Sequence, residues 1–463
     1  MIPAVAAGHP ATAAAGVEIL LAGGSAADAA VAAGIASCVA ETVMTGLLGG
    51  GHAIYFDARR GVVRNLDCFC AVPGLGAEPR EPELVHLEVP FGAELVHYAV
   101  GPASCAVPGV PAGLAALWEA HGRLQWPRIV EPALRLARDG VTLPPAHAAC
   151  LAMLEPVMTM REGARMYAPG GSLLRGGDRL EQPGLARALE LLAEEGAAGF
   201  YTGSVGASLL ELSRERGGLV TDADLRAYSA RWSEPVEAGW LGLRVLTRAG
   251  LSGVPAALGR LPRLRGLSAA DRVLSLVEAV DGGRGPETHT TNLVVVDPDG
   301  DICVLTTSLG LGSGDWLPGL DLHLNSMLGE IDLLLDPLEA GERMHSMMAP
   351  TLVVDDDGPV LALGAAGGTR LRTALVTVAA AILDEGLSPR DAVDRPRVHP
   401  AGPQVNAEPG VDEDGLAALE DAGRVVRRWP TQHHYFGGVS AVGRAGAAGD
   451  PRRSGAAVAL PAA

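Results

Sequence analysis

The chain has 463 residues, 48% of them hydrophobic, and carries 36 basic against 54 acidic side chains for a net charge of −18. This is enough for a large layered core or two domains, and the acidic balance argues against a nucleic-acid partner. The sequence contains no lysine, which excludes Schiff-base or pyridoxal-phosphate chemistry on that residue and a Walker-type phosphate loop.

In chain order, Val17–Ala22 reads as a helix closed at Gly23-Gly24, and Ser25 caps a second, alanine-rich helix running to Ala40. Gly49-Gly50-Gly51 leads into a strand through Phe56, with a partner strand over Val62–Leu66. The Pro-rich stretch from Pro73 to Pro90 reads as a surface loop. Helices follow over Leu114–His121, Ile129–Asp139, Leu185–Glu195 and up to Arg216, then a strand pair over Val236–Thr247. From Gly250 to Pro286 the chain is linker-like, with one helix over Ala269–Val280. Strands are expected at Thr351–Val354 and Leu361–Leu363, a glycine-rich turn at Gly364–Gly368, and helices at Thr373–Glu385 and Gly415–Ala422. Gly438–Val442 reads as a strand and the Ala-rich C-terminus as a loose tail.

The six cysteines are scattered, and Cys68-x-Cys70 lacks the second pair of a zinc site. His433-His434 with His399 or His345 has no metal-binding spacing, and Asp355-Asp356-Asp357-Gly358 lacks the remaining ligands of a calcium loop. No metal or other cofactor is therefore expected. Free thiols point to a reducing, cytoplasmic compartment. No basic segment precedes the first apolar residues, so no signal peptide is expected, and no apolar run reaches membrane-spanning length.

One stretch carries more chemistry than the rest. Thr290-Thr291-Asn292 stands before the β-branched run Leu293–Val296, and Asp297-Pro298-Asp299-Gly300 turns the chain toward Ile302–Leu305. Taken alone, this is an ordinary hairpin beginning with threonines. The alternative is a hidden N-terminus: a chain cut before Thr290, whose hydroxyl becomes a nucleophile with its own amine as base.

The whole chain resembles the γ-glutamyltransferase (γ-glutamyltranspeptidase) family of N-terminal-nucleophile (Ntn) hydrolases. The resemblance is carried in order by Glu18–Val31, Leu48–Phe56, Val107–Gly113, Pro132–Gly140, Phe200–Gly203, Gly217–Tyr228, Thr290–Gly300, Gly364–Arg370 and Asp450-Pro451-Arg452. It implies an α+β fold, a four-layer αββα sandwich. It also implies a precursor cut between His289 and Thr290 into a large subunit (1–289) and a small one (290–463), which stay together as one structural domain and a heterodimer. A higher oligomer is left open.

The resemblance further implies roles. Thr290 Oγ would attack the His289 carbonyl in self-cleavage and then the substrate, forming an acyl-enzyme. The freed amine, with a reference pKa of about 8, would be its base, held close by covalent construction. Ser308 matches the threonine that hydrogen-bonds this amine. Gly367 and Gly368 match the oxyanion-hole donors, worth roughly 3 kcal/mol each. Thr291 would orient groups by hydrogen bonding, and a register with Thr291 itself as nucleophile is the alternative.

The pocket residues depart from the family. Phe69 stands where the family's carboxylate-binding arginine belongs. Asn325-Ser326-Met327-Leu328-Gly329 replaces a run that ends in two acids, with Glu330 adjacent. Of a serine pair, Ser346 remains and Met347 replaces the second. Lost charged hydrogen bonds cost about 1.5–3 kcal/mol each, so a glutamyl group should bind poorly. A pocket rebuilt with Phe69, Cys68, Cys70 and Met347, with Ser326, Glu330 and Ser346 as further contacts, should favour a small molecule with a less polar or differently charged acyl group. The primary expectation is a self-processing hydrolase acting on a non-glutamyl acyl or amide substrate in specialised (antibiotic) metabolism. Three alternatives stand beside it: C–C bond hydrolysis of an alkylproline-pathway intermediate, glutamyl transfer using Glu330 and Arg370, and a catalytically silent binding protein.

Overall fold

The structure, a computed structural model, describes residues 1–78, 81–91, 94–282, 290–330, 333 and 337–461. Two antiparallel sheets carry the site. Their strands, in chain order, are β1 (Ala4–Ala7), β2 (Gly50–Asp57), β3 (Val62–Cys68), β4 (Arg231–Ser233), β5 (Val236–Trp240), β6 (Leu243–Thr247), β7 (Thr291–Val296), β8 (Ile302–Ser308), β9 (Thr351–Asp355), β10 (Gly358–Ala366), β11 (Gly438–Gly443), β12 (Gly446–Gly449) and β13 (Ala456–Ala459). A seven-stranded sheet runs β13-β1-β7-β8-β2-β3-β4, and a six-stranded sheet runs β12-β11-β10-β9-β6-β5.

The alternation of β7 shows how the layers form. Side chains on a strand point to opposite faces. Leu293 and Val295 pack with Leu305 and Cys303 into a core shared with the helices α1 (Pro10–Leu21), α2 (Ala26–Ala40), α3 (Val110–His121) and α4 (Trp126–Asp139). Val294 and Val296 face the other way, into a core between the sheets with Ile54, Val304, Leu352, Ala362 and Val442. Each fully buried valine there stabilises the fold by about 1.5–3 kcal/mol. On the far side, α5 (Val254–Arg260), α6 (Ala269–Val280) and α7 (Arg370–Leu383) cover the six-stranded sheet through Val353, Leu361 and Leu363. The result is the expected αββα sandwich.

Helix α2 is buried along its whole length, which its small side chains permit. Ser25 and Asp28 close a capping box at its start. The Ala26 N–H donates to Asp297 Oδ2 at 2.9 Å, tying the helix to the turn after β7. Among the described residues, no helix is long and apolar enough to cross a membrane.

Several elements differ from expectation. The Pro-rich stretch is not all loop: Val85–Phe91 pairs with Glu94–Val100, because Val85, Leu87 and Val89 alternate despite the surrounding prolines and acids. The linker-like zone contains α5, whose Pro255 sits in the first turn, where no N–H is needed. The turn expected over Gly364–Gly368 is strand as far as Ala366. Gly364 lets the two sheets approach: a Cβ there would lie 3.1 Å from Val304 Cγ1 and 3.2 Å from Asn292 Cβ. The Ala-rich tail is not loose, since Ala456–Ala459 pairs with Ala4–Ala7.

Candidate active site

Thr290 lies immediately before β7 and is buried. Its carbonyl accepts a hydrogen bond from Arg453 Nη1 at 3.3 Å. Thr291 pairs with Thr307 in the register of β7 and β8, so Ser308, the last residue of β8, comes alongside Thr290. Ser308 Oγ accepts from the Gly310 N–H at 2.9 Å. Gly367 (φ 129°) and Gly368 (φ 55°) join β10 to α7. These positive φ values are ones that glycine adopts readily. A Cβ on Gly367 would also come within 2.9 Å of Gly437 Cα.

Asn292 locks the two sheets together at this point. Its Nδ2 donates to the Gly438 carbonyl at 3.1 Å, and its Oδ1 accepts from the Ser440 N–H at 2.9 Å. The end of β7 is thereby fixed against β11.

Thr290, Ser308 and Gly368 open onto one narrow cleft, together with Glu330 and Ser346. The rest of its wall is apolar: Phe69, Met327, Leu333, Met347, Met348 and Leu371. The expected site residues Phe69, Glu330, Ser346, Met347, Thr290, Ser308 and Gly368 therefore converge. Cys68 and Cys70, on either side of Phe69, do not line it, and three others do not either. Gly367 is next in the chain but is not among the wall residues. Ser326 is turned to the backbone, its Oγ accepting from the Leu311 N–H at 3.0 Å. Thr291 points to the opposite side of Thr290, as strand alternation requires. His289 lies outside the described residues.

Among the described residues, Glu330 is the only ionisable side chain with a carboxyl or cationic group in the cleft wall. Two guanidinium groups lie nearby but serve other partners. Arg343 Nη1 donates to the Phe69 carbonyl at 2.8 Å, and Arg248 Nη1 donates to the Ser346 carbonyl at 3.0 Å. Burial lowers the Arg248 pKa to about 10. Phe69 stacks on His52, ring centroids 5.5 Å apart, and burial, then Arg248 and Arg343, hold that imidazole well below its usual range. Arg370, expected to reach a glutamyl group, is not in the wall. Its Nε donates to the Tyr435 carbonyl at 2.9 Å.

On the far side of Thr290 is a second, polar cavity lined by Glu41, Thr291, His147 and Arg453 among others. Glu41 ends α2 and is buried. Its carboxylate accepts from Thr12 Oγ1 at 2.6 Å and from Thr291 Oγ1. Burial pushes its pKa up to about 7 against the two hydroxyl donors and Arg453. The sequence gives little sign of Glu41 or Arg453. A single acid after an alanine-rich helix, and an arginine one place beyond Asp450-Pro451-Arg452, have no spacing that marks them.

Comparison with known proteins places the chain in a family. The chain matches the gamma-glutamyltranspeptidase family over residues 12–280 and 277–460. It is 27% identical to the Acylase ACY 1 proenzyme of Pseudomonas sp. (strain V22), covering 94% of this chain and 88% of that one. It is 28% identical to the Glutathione hydrolase proenzyme 1 of Schizosaccharomyces pombe, covering 91% and 78%. In fold it is similar to the cephalosporin acylase of Bacillus halodurans, with a TM-score of 0.83 at 24% identity over 99% of this chain and 96% of that one. The chain belongs to the γ-glutamyltranspeptidase family and is an enzyme of the Ntn hydrolase and acyltransferase class.

Proposed function

We propose that the protein is a self-processing N-terminal-threonine hydrolase acting on a non-glutamyl acyl or amide substrate. The chain is cut between His289 and Thr290, and residues 1–289 and 290–463 remain together as a heterodimer. Thr290 Oγ then attacks the substrate carbonyl, its proton passing to the Thr290 amine. The tetrahedral oxyanion is held by the N–H groups of the Gly367-Gly368 turn. Collapse expels the leaving group, and water or another acceptor releases the acyl group from Thr290. Ser308 orients the amine.

The observation that carries this reading is the composition of the cleft. Thr290, Ser308 and Gly368 share a wall with six apolar side chains and no cation among the described residues. A glutamyl α-carboxylate would lose its water there without a positive partner. An apolar acyl chain would fit, and a donor group on it could reach Glu330. Relatives named as acylases support an amide substrate. Arg370, held at Tyr435, does not favour the glutamyl route. Six buried free thiols suit a reducing, cytoplasmic compartment.

The purified protein should run as two fragments, the smaller beginning at Thr290, and Thr290→Ala should remain one chain. The split enzyme should turn over an apolar acyl p-nitroanilide faster than γ-glutamyl-p-nitroanilide. An unsplit wild-type chain with full turnover would sink the mechanism, and the reverse substrate order would sink the pocket reading.

A further inference from the structure

The peptide that follows Thr290 is gripped from two sides. Arg453 Nη1 donates to the Thr290 carbonyl, which belongs to the Thr290–Thr291 peptide, at 3.3 Å. Glu41 accepts the hydroxyl of Thr291, the next side chain. Glu41 is itself fixed: its N–H donates to the Ser37 carbonyl at 2.8 Å, and Thr12 donates to its other oxygen. A Cβ on Gly8 would collide with Glu41 Oε2 and come within 2.8 Å of Thr291 Oγ1, so that backbone closes directly over the pair. The segment that follows Glu41 holds the neighbouring strand, with Thr45 Oγ1 donating to Thr307 Oγ1 at 2.8 Å.

We propose that Glu41 is a positioning residue for the Thr290 nucleophile, clamping the Thr290–Thr291 peptide through the Thr291 hydroxyl while Arg453 holds its carbonyl. This deepens the N-terminal-threonine reading and rests on it. With Thr291 turned to Glu41 and the carbonyl turned to Arg453, the Thr290 side chain is left facing the cleft. An ionised Glu41 accepts both threonine hydroxyls. A Glu41 protonated on Oε2 would donate to Thr291 instead of accepting from it, and the Thr291 hydroxyl would then lose its fixed orientation. The groups facing Glu41 are Arg453 and Asp450 from the C-terminal turn, His147 from the helix Pro145–Met153, and Cys38 from α2, with the His9 ring tilted against His147. Burial holds both imidazoles well below their usual range, at about 3 for His147 and about 4 for His9, so neither changes charge near neutrality. Burial also raises the Cys38 thiol, to about 12. For Asp450, Arg397 and Arg452 outweigh burial and hold the carboxyl below its usual range. Glu41 is the member of the cluster left to titrate near neutral pH.

The test is the rate of self-cleavage, which precedes any free amine at Thr290 and needs no substrate. Full-length precursor from cell-free translation is followed on gels from about pH 5.5 to 8.5. The wild-type rate should rise through a midpoint near neutrality. Glu41→Gln should lose that limb and cleave at least about tenfold more slowly on the alkaline side, roughly the effect of one lost charged hydrogen bond. Thr291→Val should behave like Glu41→Gln, and Thr291→Ser should recover most of the rate and the limb. Should Glu41→Gln fail to fold, the Thr291→Val and Thr291→Ser pair decides. Wild-type rates and profiles in the folded variants would overturn the clamp alone. A wild-type chain that never splits would overturn the threonine reading and the clamp with it.

Discussion

Phe69 sets the character of the cleft. It presents a ring where a cation would give a carboxylate its partner, and His52 backs it as a neutral, buried imidazole. Phe69→Arg should therefore shift preference toward γ-glutamyl-p-nitroanilide over an apolar acyl anilide by roughly tenfold or more in relative kcat/KM, the equivalent of one charged hydrogen bond. An unchanged ratio would show that another residue governs the choice. Glu41 gives a stability signature of its own. Its folded pKa of about 7 lies above the ordinary 4.5, so the fold prefers the protonated form. Its contribution is complete below about pH 4.5 and is lost as pH rises through 7. Wild type should lose on the order of 3 kcal/mol relative to Glu41→Gln between about pH 5 and 8, read by denaturant melts. The residues legible in the sequence are those whose neighbours in the chain form a pattern, such as Thr290 before a β-branched run and Gly367-Gly368 after a strand. Met348, Leu333 and Leu371 are not legible, because they reach the cleft from separate parts of the chain, and an apolar residue in a cleft wall reads like one in a core.

At the level of elements, the turn between β10 and α7 is closely packed. Gly367 combines a φ of 129° with the Gly437 backbone at its shoulder. Gly367→Ala should lower activity at least a hundredfold, the cost of a displaced oxyanion donor, and destabilise the fold by about 1–3 kcal/mol. A thermal melt beside a kinetic assay separates the two effects. Elements with plain local signatures, such as the β-branched run of β7 and the capped, alanine-rich α2, follow from the sequence. The hairpin over Val85–Val100 and helix α5 do not, since charge and proline mask their alternation. The extent of β10 also escapes a local reading. Gly364 looks like a turn residue until the crossing of two sheets explains it as a spacer.

Across the whole molecule, the seven-stranded sheet is assembled from both sides of position 290. β1, β2, β3 and β4 precede it, and β7, β8 and β13 follow it. The two segments share the inter-sheet core, where Ala4, Ala6 and Ile54 meet Val294, Val304 and Val442. After cleavage the fragments should co-elute in size exclusion and separate only in denaturant. Dissociation in native buffer would contradict this shared core.

The placement of β1 between β13 and β7 has another consequence. It brings the start and end of the chain side by side, with the Leu460 N–H donating to the Pro3 carbonyl at 2.9 Å. A gene could therefore be rearranged so that translation begins at Thr290 and a short linker joins the old C-terminus to the old N-terminus. Such a permutant would acquire its terminal threonine by removal of the initiator methionine, with no internal scission. If the terminal amine is all that maturation supplies, the rearranged chain should be active as synthesised.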